Sequence, residues 1–155
     1  MVWLCSSVVL ALVACSGESR IDVDGSWREP AWNARAQRGV FIDETGAQAR
    51  PYSEIRLLRD GARMFIALYA ADEDIRSDDA FELRVGAQAL HISAAQARRP
   101  DLAVDLDGTL DKSGDDDEEW LVELALPLAQ PIAARRCDHP KSGGERCGHW
   151  FGIVN

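Results

Sequence analysis

The amino-acid sequence predicts an all-β protein: a single antiparallel β-sandwich of two packed sheets, with short helical turns and about eight to ten short strands. Residues 54–59 and 64–71 have strand-like composition and are joined by Asp60-Gly61, a typical hairpin turn. Residues 120–128 alternate Trp, Val and Leu with other residues at the period of a strand that has one buried face. The remaining strand-like segments are short and are separated by turn residues, which favours a sandwich over a helical fold.

The other elements follow from the same patterns. The segment 64–71 is apolar on both faces, so we expect a central strand. Phe81, Leu83 and Val85 are expected to face the core of a strand at 80–85. Further short strands are predicted at 40–42, 90–92, 102–106 and 150–154, and a helical turn near Pro30. The polar, Gly-rich stretch 133–147 is predicted to be a loop.

Composition limits the functional classes. A chain of 155 residues with 46% hydrophobic content suits one domain with a sizeable core. Its net charge of −9 repels nucleic acid and anionic lipid, so we expect no nucleic-acid partner. Neutral ligands, cations and basic partners remain compatible with this charge, which also serves solubility.

The N-terminus is predicted to be a leader, residues 1–14, and a tether, residues 15–20, before a domain at 21–155. Residues 2–14 form an apolar run that is too short to span a bilayer and has the length of a signal-peptide core. The run ends in Leu-Val-Ala-Cys, which resembles a bacterial lipobox with Cys15 as the lipidated residue. We therefore expect an exported, lipid-anchored protein of the bacterial cell envelope that contacts the membrane through its lipid anchor only. Ser16 favours the outer membrane. The run departs from the lipobox pattern in that no Lys or Arg precedes it, and an ordinary signal peptide cut elsewhere is the alternative.

Two cysteines remain in the predicted domain. Cys5 lies in the leader, which leaves Cys137 and Cys147 as an even pair. An oxidising compartment favours a disulfide between them. The alternative is a zinc site that adds His139 and His149, but one residue between ligands is fewer than zinc motifs usually have.

Several segments carry a family resemblance. In chain order they are IDVDG (21–25) with PAW (30–32), LLRDG (57–61) with MFIA (64–67), DEDI (72–75), DAFEL (79–83), and VDLDGTLD (104–111) with WLVELALP (120–127). In this order they resemble the family 9 carbohydrate-binding module and its relatives over about residues 21–155. The resemblance implies a β-sandwich, non-catalytic binding of sugars, structural calcium, and frequent attachment to glycoside hydrolases or envelope proteins.

The resemblance also implies candidate ligand-binding residues. Sugar-binding members of the family clamp a sugar between two Trp rings, one just before the strand that is here 80–85 and one before the last strand. Arg76 occupies the first place, and Trp150 is the candidate for the second. A guanidinium can stack on a sugar ring or bind a uronate, so the expected partner is a polysaccharide or oligosaccharide, with a preference for acidic ones. The alternative is a structural or partner-binding sandwich that has lost the sugar site.

Acidic clusters suggest calcium. Asp111, Asp115 and Asp117 lie in one loop, and hard cations prefer several carboxylate and carbonyl oxygens. A solvated charged loop is the alternative. A second acidic group consists of Asp72, Asp74, Asp78 and Asp79.

Motifs for catalysis are not found in the sequence. It has no nucleophile elbow, no Gly-rich phosphate loop and no H-E-x-x-H. Glu82 and Glu123 are the one imaginable glycosidase pair, and both fall in the middle of predicted strands. We therefore expect that the protein is not an enzyme. The haem-attachment motif C-x-x-C-H is also missing, so we expect no redox cofactor.

Overall fold

The computed structural model describes residues 21–114 and 116–154. The predicted leader and tether, with Cys15, lie outside the described residues, as do Asp115 and Asn155. The described elements are one helix and nine strands: α1 Pro30–Ala34, β1 Gln37–Val40, β2 Ser53–Asp60, β3 Arg63–Ala71, β4 Ala80–Val85, β5 Gln88–Ser93, β6 Leu102–Asp107, β7 Glu119–Pro127, β8 Ile132–Asp138 and β9 Arg146–Gly152. No helix among the described residues has the length and apolarity that crossing a membrane requires.

The strands form two antiparallel sheets, which confirms the predicted all-β sandwich. Sheet A has the order β1-β2-β3-β7-β6, and sheet B has the order β5-β4-β8-β9. The predicted hairpin is present as β2 and β3, with Asp60 paired with Arg63 beside the turn. The apolar strand β3 lies between β2 and β7, as its two-sided hydrophobicity indicates.

The main core lies between the two sheets. Alternation in β4 turns Phe81, Leu83 and Val85 inwards, as predicted, and each is at most 2% exposed. Phe81 packs against Trp120 of β7 with ring centroids 4.9 Å apart. Large apolar side chains of this kind each contribute about 1.5–3 kcal/mol when fully buried. Trp120 is therefore a core residue, as the sequence indicates.

A second, smaller cluster covers the outer face of sheet A. Residues 21–36, including α1, cross this face and bury Trp32 against Phe65 of β3 and Ala125 of β7. Pro30 is the first residue of α1, where its missing N–H costs no hydrogen bond. The outer face of sheet B has no such cover among the described residues.

One edge of the sandwich is closed by the segment after β1, which passes between the two sheets. After β1, Phe41 enters the core, and Ile42 exchanges two backbone hydrogen bonds with His149 of β9, at 3.0 and 2.9 Å. The β1 edge of sheet A and the β9 edge of sheet B therefore lie side by side.

The prediction of a loop at residues 133–147 is wrong for most of that stretch. Residues 132–138 are β8, and β9 already begins at Arg146, so the connecting loop is only 139–145. The misleading signal was charge: Arg136 and Asp138 occupy inward positions of β8 because each has an ionic partner inside the protein.

Candidate functional site

The outer face of sheet B is the candidate site, because it is a broad surface that no other described segment covers. Alternation along each strand places every second side chain on this face. The register aligns the side chains in rows across the strands. One row runs Ala89, Arg84, Ala133, Phe151, and the next runs His91, Glu82, Arg135, His149.

A depression of about 300 Å³ lies on this face. Ala133 forms part of its lining between Arg84 on β4 and Phe151 on β9. Two strand spacings, roughly 10 Å, separate those two longer residues. Phe151 is 68% exposed, more than any other large hydrophobic side chain among the described residues. An apolar ring beside a shallow gap with polar groups around it suits a flat, hydroxyl-bearing ligand.

The disulfide lies on the same two strands, beside this face. Cys137 of β8 and Cys147 of β9 are register partners and are bonded to each other. Arg135 donates a hydrogen bond to the Sγ of Cys147 at 3.2 Å. The structure therefore agrees with the predicted disulfide rather than with the zinc alternative. His139 contacts Asp79 and Glu145 at 3.7 Å, away from the His149 row.

Trp150, the predicted sugar platform, is half-buried at the closed edge of the sandwich. It packs against the main core. A Cβ on Gly39 of β1 or on Gly152 of β9 would collide with its indole, so these two glycines make room for it. The indole also lines the depression on sheet B, but the fully presented aromatic ring there is Phe151. Alternation along β9 is the signal that separates the two residues, since Phe151 lies on the outward side.

Arg76, the other predicted ligand residue, lies in the loop before β4. Its Nε donates to Asp78 Oδ1 at 3.1 Å, and its backbone N–H donates to Asp79 Oδ2 at 2.8 Å. Trp150, on the edge strand β9, is level with Leu83 of β4 in the register. Trp150 lines the depression on sheet B, and Arg76 is not among the residues that line it.

The predicted calcium residues make hydrogen bonds to neighbouring loops. Asp111 Oδ1 accepts from the backbone N–H and the hydroxyl of Ser77, at 2.8 and 3.0 Å. The buried Asp117 accepts backbone N–H groups of Ile75 and Thr109, both at 2.8 Å. These bonds join the loop before β7 to the loop before β4. With Asp115 outside the described residues, calcium at this loop stays a prediction.

The second acidic group contributes to a buried ionic network that the sequence analysis did not find. Arg136, 2% exposed, donates to Asp72 Oδ2 and to Asp138 Oδ1, both at 2.8 Å. Burial raises the pKa of Asp79 and of Asp138 to about 6. The network joins the end of β3 to β8 and therefore fixes sheet A to sheet B. Continuing the period of Ile132 and Ala134 along the chain would have placed Arg136 inside.

Glu123 is a buried carboxylate beneath the N-terminal segment. It is 1% exposed. One oxygen accepts the backbone N–H groups of Asp24 and Gly25, both at 3.0 Å, and the other accepts the indole N–H of Trp32 at 2.8 Å. Burial raises its pKa to about 7, against the opposing effect of the backbone hydrogen bonds. Glu82 lies on the outer face of sheet B, so the two carboxylates belong to different sheets and do not flank one site.

Comparisons of the chain with models of protein families, with curated proteins and with solved structures found no match.

Proposed function

We propose that this protein is a non-catalytic carbohydrate-binding β-sandwich, and that it binds envelope or extracellular polysaccharide on the outer face of sheet B. The observation that carries the proposal is the depression between Arg84 and Phe151, floored by a small side chain and beside an exposed aromatic ring. A sugar presents an apolar face of C–H groups and a rim of hydroxyls. Phe151 offers a surface for the first, and Glu82 and Arg135 offer acceptors and donors for the second.

The resemblance to the family 9 carbohydrate-binding module supports the proposal at the level of architecture. The sandwich is the fold that the resemblance implies. The proposed position of the ligand differs from the predicted one, because Arg76 does not line the depression. A single presented ring, in place of a two-ring clamp, leads us to expect weak binding, with a dissociation constant of order 0.1–1 mM.

We further propose that the domain is exported and attached to the outer membrane through a lipid on Cys15. The support is the sequence Leu-Val-Ala-Cys after an apolar run. The expected result is lipid-linked, globomycin-sensitive processing that is lost in Cys15→Ala. A Cys15→Ala protein that remains in the membrane fraction would contradict the anchor.

A second candidate function is partner binding by a sandwich that holds no sugar. A specific observation favours it: the exposed large hydrophobic residues among the described part of the chain all lie along the β1 and β9 edges. They are Val40, Ile42, Phe151 and Ile153, between 39% and 68% exposed. The half-buried position of Trp150 favours the same candidate. Exposed apolar strips of this kind are typical of protein interfaces.

Two variants discriminate the candidates. Phe151→Ala removes the proposed platform, and Val40→Ala removes an exposed apolar side chain of the same edge on the other sheet. If the protein binds sugar, oligosaccharide titration by calorimetry should show binding at least about five-fold weaker in Phe151→Ala, a loss of about 1 kcal/mol, and unchanged in Val40→Ala.

The absence of binding to any member of a broad glycan array would overturn the carbohydrate proposal. If Phe151→Ala and Val40→Ala then bind a protein partner equally more weakly than the wild type does, the second candidate is supported.

A further inference from the structure

The ionisable side chains on the outer face of sheet B determine which ligand charge this face favours. They are Arg84, Arg135, Glu82, His91 and His149. Glu82 is engaged by His91, with Oε1 and Nδ1 3.0 Å apart. Within residues 21–114 and 116–154, neither arginine lies within ion-pair distance of a carboxylate, although Glu82 is the register partner of Arg135. Arg135 donates one hydrogen bond to Cys147 Sγ, and its remaining donors and the guanidinium of Arg84 are thus available to a ligand.

The two arginines are placed to act together. Arg84 of β4 is paired with Ala133 of β8, and Arg135 follows Ala133 by two residues on the same face. Such diagonal neighbours on adjacent strands are roughly 7–8 Å apart. Both residues are exposed and both line the depression. Each guanidinium can donate two parallel hydrogen bonds to one carboxylate or sulfate.

The net charge of the whole protein increases the difference between this pair of arginines and the rest of the surface. At a net charge of −9, most of the surface repels anions. A negatively charged ligand therefore has few favourable places to dock, and the paired arginines beside Phe151 provide one. A neutral glycan would contact Phe151 but would gain no electrostatic attraction from the arginines.

We propose that the outer face of sheet B selects glycans that carry anionic groups, carboxylate or sulfate, with Arg84 and Arg135 binding the anion and Phe151 binding the sugar ring. This inference rests on the proposed carbohydrate binding. It differs from the acidic preference predicted for Arg76, because the cationic groups are now on the sheet and not in the loop before β4.

The test is calorimetric titration of the full-length protein with three oligosaccharides of equal length: one of uronic acids, one sulfated, and their neutral parent. The proteins are the wild type, Arg84→Ala, Arg135→Ala and the control Arg35→Ala. Arg35 directly follows α1 on the sheet A side, so its removal changes the net charge equally without touching the proposed site.

Each variant at Arg84 or Arg135 should bind the anionic oligosaccharides about two- to five-fold more weakly than the wild type. Its affinity for the neutral parent should be unchanged, and Arg35→Ala should match the wild type throughout. Salt should weaken anionic binding and leave neutral binding unaffected. The uronic and sulfated arms identify which anion is preferred, and either preference supports the proposal.

Equal affinity for anionic and neutral oligosaccharides in all four proteins would overturn this inference and leave the proposed carbohydrate binding intact. Absence of binding in every arm would overturn both. Equally tight binding of polyglutamate, which has carboxylates and no sugar ring, would also overturn the inference, because Phe151 would then contribute nothing to selection.

Discussion

The buried carboxylate of Glu123 yields the sharpest prediction for stability. We consider Glu123→Gln, which keeps the shape of the side chain and removes its charge. The amide oxygen can still accept the N–H groups of Asp24 and Gly25, but the amide nitrogen then faces the indole N–H of Trp32. Two donors facing each other leave the indole without an acceptor, which costs about 1–3 kcal/mol.

The pH dependence of the free energy of unfolding separates the effect of the charge of Glu123 from the effect of its shape. Burial raises the pKa of Glu123 from an ordinary value of 4.5 to about 7. Below pH 4.5 the carboxyl is protonated in both the folded and the unfolded state, so its contribution to stability is fully present. As pH rises towards 7, the unfolded chain ionises first and the folded state loses stability, by on the order of 3 kcal/mol in total. The Gln variant lacks this loss.

The assay is urea unfolding followed by Trp fluorescence between pH 5 and pH 8. At pH 5 the Gln variant should be about 1–3 kcal/mol less stable than the wild type, and at pH 8 the difference should shrink or reverse. Because Asp79 and Asp138 titrate in the same range, the comparison with the wild type isolates Glu123. Glu44→Gln, at an exposed loop position, is the charge-matched control and should change little. A stability gap that stays constant from pH 5 to pH 8 would refute the reasoning.

Three further predictions concern the disulfide, the buried arginine and calcium. Cys147→Ser should lower the free energy of unfolding by about 3 kcal/mol, because the bond closes a loop of sequence separation 10, and an unchanged melting temperature would contradict this. Arg136→Met should cost about 3–5 kcal/mol in chemical unfolding, since it leaves Asp72 and Asp138 without their cation. That loss should be smaller at pH 5 than at pH 8, where Asp138 is ionised; equal losses would speak against the raised pKa. Calcium at about 1 mM, the range of extracellular modules, should raise the melting temperature of the wild type but not of Asp111→Asn, and no shift in the wild type would count against a calcium loop.

Local patterns in the sequence predict much of the fold. The hairpin of β2 and β3 follows from two apolar segments and Asp60-Gly61, and β7 follows from strict alternation after Glu119. Strand β8 is not predicted because Arg136 and Asp138 break the apolar pattern. They pair with each other, and Arg136 also pairs with Asp72, which is far away in the sequence. A pattern read along the chain has no access to such partners.

The candidate site depends even more on long-range pairing. Its rows combine Ala133 and Phe151 of the consecutive strands β8 and β9 with Arg84 of β4. Strand β4 is far from them in sequence and becomes a neighbour of β8 only through the order of sheet B. Alternation with Phe81, Leu83 and Val85 indicates correctly that residues 82 and 84 face outwards, but it does not indicate what lies beside them. Trp150 and Phe151 are adjacent residues on opposite sides of β9, so a shift of one position decides which ring faces a ligand.

The most direct test of the proposed function is to map where a glycan binds. Nuclear magnetic resonance titration of the ¹⁵N-labelled protein with an anionic oligosaccharide reports on every backbone amide. We expect shift changes to concentrate on the outward-facing residues of β4, β8 and β9, around Arg84, Arg135 and Phe151. Saturating changes confined to the N-terminal segment over sheet A, or to the loop that holds Arg76, would place the ligand elsewhere and contradict the proposed site.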